Sequence, residues 1–119
     1  MKNNVVMDKS FEFAVKIVKL VKFIQDQKKE YMLTKQLIKS GTGIGANIRE
    51  GNTAESKADF IHKLSIAQKE CSETIYWLEL MKETEYIAEV QFSSVQSDAV
   101  ELIKLLTTIL KSTKSNINH

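Results

Sequence analysis

SKADFIHKLSIAQKECSETIYWLELMK, residues 56–82, carries the clearest helical rhythm in the chain. Phe60, Leu64, Ala67, Cys71, Ile75 and Leu78 follow one another at spacings of 4, 3, 4, 4 and 3. That rhythm matches the turn of an α-helix and gathers the apolar side chains into one stripe. Ser56, or Thr53 just before it, is a natural first cap, and the pattern ends near Lys82 to Glu85.

The same rhythm recurs three more times. From about Lys9 to Gln27, with Asp8 or Ser10 as cap, Ala14, Ile17, Val18, Val21 and Ile24 share a face. From about Glu30 to Glu50 the shared face is Leu33, Leu37, Gly41, Ile44 and Ile48. Gly51 stands where a helix-terminating glycine with positive φ is expected. A last helix is expected to begin at Ser93 or Ser94 and run to about Ser112, with Val95, Ala99, Leu102, Leu106 and Ile109 aligned. Residues 113–119 then read as a disordered polar tail. The chain has no Pro and only four Gly, so little interrupts long helices. Short links between long helices favour antiparallel neighbours, and the expectation is one all-α domain, an up-down-up-down four-helix bundle.

Composition narrows the function classes. The single cysteine, Cys71, offers no intramolecular disulfide, which fits a reducing cytoplasm. The first residues carry no apolar segment of the kind that marks a secretory signal, and no apolar run approaches a membrane span. Net charge is only +2, but it is unevenly spread. Residues 1–49 hold ten basic residues against four acids, and residues 50–119 hold seven against eleven. Such a division supplies a basic face for an anionic partner or hairpins that attract one another. The candidate nucleic-acid contacts are Lys9, Lys16 and Lys19 on the outer face of the first helix, Lys35 and Lys39 on that of the second, and Arg49. Lysines contact phosphate as point charges, so such binding is expected to be salt-sensitive and indifferent to base sequence.

Phe23, Ile66, Trp77 and Leu80 lie off the apolar stripes among charged residues, the composition of a subunit or partner interface. A wide stripe with long side chains lying over the core edge accounts for them equally. The segment Gly41-Thr42-Gly43-Ile44-Gly45 matches neither phosphate-binding glycine motif, since a helix precedes it and no Gly-Lys-Ser/Thr follows. Gly41 and Gly45, four apart, suit a close helix approach, or a local opening of the helix. Asn47, Arg49 and Glu50 form a polar cluster at the helix end, for solvation, for an interhelix ion pair or for recognition. His62 and His119 lie far apart, and nothing stands at ligand spacing from Cys71, so neither a metal site, a cofactor nor a catalytic set is expected. Cys71 falls on the core stripe.

Residues 36–51, QLIKSGTGIGANIREG, resemble the hallmark of the bacterial four helix bundle proteins, also called the 23S ribosomal RNA intervening-sequence proteins. The segments 56–70 and 73–80 continue the likeness, and Phe11 to Lys22 fits the opening helix. Gly43 stands where that pattern has Ser. The resemblance implies a structural role for Gly41, Gly45, Asn47, Arg49, Glu50 and Gly51. It also implies a non-enzymatic protein with nucleic-acid contact, RNA above all. The related accessory proteins of diversity-generating retroelements form barrel-shaped homopentamers that bind nucleic acid and a reverse transcriptase, so the resemblance implies a ring-shaped homopentamer. A protein-interaction scaffold for a partner enzyme is the alternative, supported by the off-stripe apolar residues.

Overall fold

The computed structural model describes residues 4–117. Four helices account for nearly all of them: α1 (Asn4–Lys28), α2 (Met32–Asn52), α3 (Lys57–Glu83) and α4 (Glu89–Ile117), with no strand among the described residues. At about 1.5 Å per residue, helices of this length are about 30–45 Å long, in keeping with an elongated body of 51 × 21 × 20 Å. Cross-helix contacts run in opposite chain directions on every side. Ser10 meets Gly45 and Ile17 meets Gly41 between α1 and α2. Ser40 meets Thr74 between α2 and α3, and Gln68 meets Thr107 between α3 and α4. Lys9 and Lys16 reach Glu101 and Asp98 between α1 and α4. Each helix therefore lies antiparallel to two neighbours, and the bundle closes with α1 beside α4.

The apolar stripes meet in the middle, although on α1 Phe13 and Leu20 are buried while Ala14 and Val18, expected on the stripe, are only partly so. Phe13, Ile17 and Ile24 of α1, Leu37, Ile44 and Ile48 of α2, Leu64 and Leu78 of α3, and Leu102 and Leu106 of α4 are fully or almost fully buried. The polar Thr74 and Ser40 hydroxyls are buried too, 2.9 Å apart, with backbone carbonyls as further partners. Paired in this way they avoid the cost of an unsatisfied buried group.

Helix ends depart from expectation in instructive ways. α1 begins at Asn4, before Asp8 and Ser10, so neither is a cap. Ser10 is buried inside the helix and donates to the Met7 carbonyl. The α2 start is capped by Glu30, whose carboxylate accepts from the backbone N–H groups of Met32, Leu33 and Thr34. α4 begins at Glu89, ahead of Ser93 and Ser94, and the Gln91 side chain accepts from the Ala88 N–H. It also extends to Ile117, so residues 113–117 are helical where a tail was expected; residues 118–119 lie outside the described part. Ser56 does cap α3, accepting from the Asp59 N–H at 3.1 Å.

Gly51 is corrected as well. It lies inside α2, without positive φ, and a methyl group there would sit 2.6 Å from Leu64 Cδ1. The left-handed residues are instead Lys29 and Glu85, at φ 54° and 66°. Glu85 ends α3 in a Schellman motif: its N–H donates to the Lys82 carbonyl and that of Tyr86 to Met81.

The three glycines of the 41–45 segment are all helical, and their surroundings differ. A methyl group at Gly41 would fall 2.9 Å from both γ carbons of Ile17, a branched, fully buried side chain with nowhere to move. At Gly43 the obstacle is the mobile end of Glu70, 3.1 Å away. Gly41→Ala should therefore lower the unfolding free energy, because overpacking of about 1–3 kcal/mol outweighs a helix-propensity gain of about 1 kcal/mol. Gly43→Ala should raise it, by up to about 1 kcal/mol. Urea denaturation of the two variants checks the opposite signs.

Candidate nucleic-acid interface

The basic residues of α1 divide between two faces. Lys9 and Lys16, two turns apart, point along the α1–α4 seam. The Lys9 ammonium lies 3.2 Å from the Glu101 carboxylate, and Lys16 is paired with Asp98 and donates to the Ser94 hydroxyl at 3.2 Å. These two lysines, expected on the outer face of the first hairpin, instead tie α1 to α4. That seam is the lightest of the four in packing, so ion pairs fall where burial contributes least. Half-exposed pairs of this kind are worth about 0–1 kcal/mol each.

Lys19 is exposed on α1, and Lys35 and Lys39 are exposed on α2. None forms an ion pair among the described residues. Lys22, Lys28 and Lys29, which the sequence reading passed over, are exposed and equally unpaired at the same end of the hairpin. Their signal was present in the helical spacing: Lys22 follows Phe11 and Val15 at four- and seven-residue steps on the outward side of α1. The outward face of α2 carries Lys35, Lys39 and Arg49 with no acid between Glu30 and Glu50.

The polar cluster at the end of α2 separates into three roles. Asn47 donates its side-chain N–H to the Gly43 carbonyl at 2.9 Å, within the helix. Glu50 accepts from Lys63 of α3 at 3.0 Å, and this hydrogen bond holds the Lys63 pKa above its ordinary value. Arg49 turns outward, its guanidinium carbon 5.6 Å from the centre of the Phe11 ring. Phe11 is 56% exposed. Both residues line a groove of about 340 Å³, together with Met7, Ser10, Ala14, Thr42, Gly45 and Ala46.

The apolar interface candidates also separate. Phe23 is 43% exposed. Trp77 is half-buried against the core, with Tyr76 edge-on to it at 5.0 Å, and Ile66 and Leu80 are half-buried. More exposed than any of these are Met32 and Val90, at 81% and 82%.

Cys71 is buried with its thiol donating to the Ala99 carbonyl, and burial pushes its pKa up to about 12, so it is no nucleophile at neutral pH. Among the described residues no three His, Cys, Asp or Glu side chains converge on a metal position. No described helix is long and apolar enough to cross a membrane. Glu70, pressed against Gly43, has its pKa raised, first by burial and then by Glu73, while Lys39 and Lys69 oppose the shift.

A family model described as 23S rRNA-intervening sequence protein matches residues 2–108. Among solved structures, the chain is similar to a protein of unknown function from the S23 ribosomal protein family of Bacteroides thetaiotaomicron, a crystal structure at 1.70 Å. The two share 56% identity with a TM-score of 0.88, over 89% of this chain and 98% of that one. No curated protein matches.

The raised Glu70 pKa has a consequence for stability. Between the unfolded and folded pKa values the folded chain binds more protons, so stability falls as pH rises through that window. Glu70→Gln should raise Tm at pH 7, and the gain should vanish below the ordinary carboxylate pKa, where both forms are uncharged. Melting curves across pH check this.

Proposed function

We propose that this chain, which belongs to the 23S rRNA-intervening sequence protein family, is a non-catalytic protein that binds structured RNA, ribosomal RNA included, through the outward face of its first helical hairpin. The observation that carries the reading is the set of exposed, unpaired cations on that face: Lys19, Lys22, Lys35, Lys39 and Arg49, with Lys28 and Lys29 at its end. Unpaired lysines at a helix surface attract phosphate without reading bases. Only one arginine is present, which leaves little scope for bidentate base recognition. In this reading the protein acts in the cytoplasm, where its lone buried cysteine stays reduced.

We also propose self-assembly, in a ring of five as the resemblance to the retroelement accessory proteins implies. The exposed Met32, Val90, Phe23 and Tyr76 support an interface between copies. A ring would repeat a weak cationic patch and strengthen it by avidity. Light scattering should return a mass near five times 13.6 kDa; a monomer removes the ring from the account. A scaffold for a partner enzyme is the competing reading, and it gains only if RNA binding fails.

Fluorescence anisotropy with a labelled, structured RNA across a salt series tests the proposal. Affinity should fall steeply with salt, with a slope of about −0.7 to −0.9 per phosphate contact. Lys19→Glu/Lys35→Glu/Lys39→Glu should abolish binding. Lys9→Glu/Lys16→Glu should leave binding close to that of the wild type while lowering Tm through the α1–α4 seam. Absence of binding at low salt, or equal effects of the two variants, overturns the proposal.

A further inference from the structure

We infer that the Phe11–Arg49 groove is a stacking platform for an unpaired nucleobase, so that the RNA bound is one presenting a loop, bulge or single-stranded end. The inference rests on the nucleic-acid reading above and gives it a substrate class.

An exposed phenyl ring on a surface helix is costly in solubility and adds little to the fold. Phe11 is 56% exposed, while its neighbour two residues on, Phe13, is fully buried and supplies the aromatic bulk of the core. The chain's only arginine is held over Phe11 at 5.6 Å, a cation–π distance. An aromatic face and a guanidinium plane are the two protein surfaces on which unpaired bases stack. The space beside them is open because most of the other lining residues are small, Ser10, Ala14, Thr42, Gly45 and Ala46, with Met7 the one long side chain among them. Its volume of about 340 Å³ lies at the lower end of the range for small-molecule pockets, about 300–1,000 Å³.

By helical spacing the groove lies on the same side of the hairpin as Lys22 and Lys35, a side that also carries the exposed acids Asp8 and Asp26 of α1. On α1, Phe11, Val15 and Lys22 share the outward side; on α2, Arg49, Ala46, Thr42 and Lys35 do. The antiparallel register sets Phe11 against Arg49 at one end and Lys22 beside the Lys35 turn at the other. Eleven residues of helix separate Phe11 from Lys22, about 16 Å. A short strand can therefore lay phosphates on the lysines while one base enters the groove. Neutral apolar side chains of a protein partner would gain nothing from those lysines, and a fully paired duplex presents no free base face to Phe11.

The test compares two single-stranded RNA oligomers of equal length and phosphate count, one intact and one abasic at its central positions. The wild type should prefer the intact strand about five- to a hundred-fold, with equal salt slopes for both. Phe11→Ala should bring the intact strand down to the abasic level and leave the salt slope unchanged. Phe11→Leu, which keeps apolar bulk without a π face, should behave like Phe11→Ala, and Phe11→Trp should bind at least as tightly as the wild type. Circular-dichroism melting of each variant confirms that the bundle is intact, as expected for an exposed position. Salt-sensitive binding that does not distinguish the two strands overturns the platform and leaves the lysine face standing. Full rescue by Phe11→Leu assigns the ring to an apolar contact and also overturns it. No binding of either strand at low salt overturns both readings together.

Discussion

At Gly45 the α2 backbone comes so close to α1 that a methyl group would sit 3.3 Å from the Ser10 carbonyl oxygen, and at Gly41 the equivalent gap to Ile17 is 2.9 Å. Much of the molecule's outer surface follows from that approach. Bulkier residues would push the two helices apart, and the groove between them would fill with side chains. With small residues there, the lips of the groove come within reach of each other, so that Arg49 of α2 lies over Phe11 of α1. Lys22 and Lys35, about three to four turns further along, lie on the same side of the hairpin. A helix-packing requirement and a cationic, aromatic face are thus two results of the same short spacing.

The uneven charge of the chain serves two ends in three dimensions. Part of it is used inside the fold, where Lys9 and Lys16 meet Glu101 and Asp98; the pairs Lys63–Glu50 and Lys82–Glu89 lie within the acidic half. The remainder, concentrated on α1 and α2, stays unpaired among the described residues and defines the candidate interface. Glu70 marks the boundary on the α3 side. It is partly desolvated beside Gly43, and Lys39 is among the charges that favour its ionised form.

Much of the fold was legible in the sequence because helical periodicity records which side chains are buried. The stripe through Phe60, Leu64, Ala67, Cys71, Ile75 and Leu78 is the α3 core face, with Phe60 and Ile75 at its edge and Thr74 buried beside Ile75. Helix ends were less legible. Glu30, two to four residues ahead of the N–H groups it caps, and Glu85, a non-glycine in the left-handed region, depend on local geometry that residue type alone does not announce. The site was legible in composition and not in partition. A charge count cannot tell Lys16, which faces α4, from Lys19, which faces solvent, until the neighbour of α1 is known. Phe11 was read only as part of the opening helix. Its exposure follows from Phe13, not Phe11, lying on the core side, and its meeting with Arg49 depends on the register of α1 against α2.

Lysine acetylation footprinting, with and without saturating structured RNA and read by mass spectrometry, locates the RNA on the protein surface. RNA should protect Lys19, Lys22, Lys35 and Lys39 and leave Lys57, Lys69 and Lys111 unchanged. Protection confined to Lys69 and Lys111, or no protection at any lysine, contradicts RNA binding on the first hairpin.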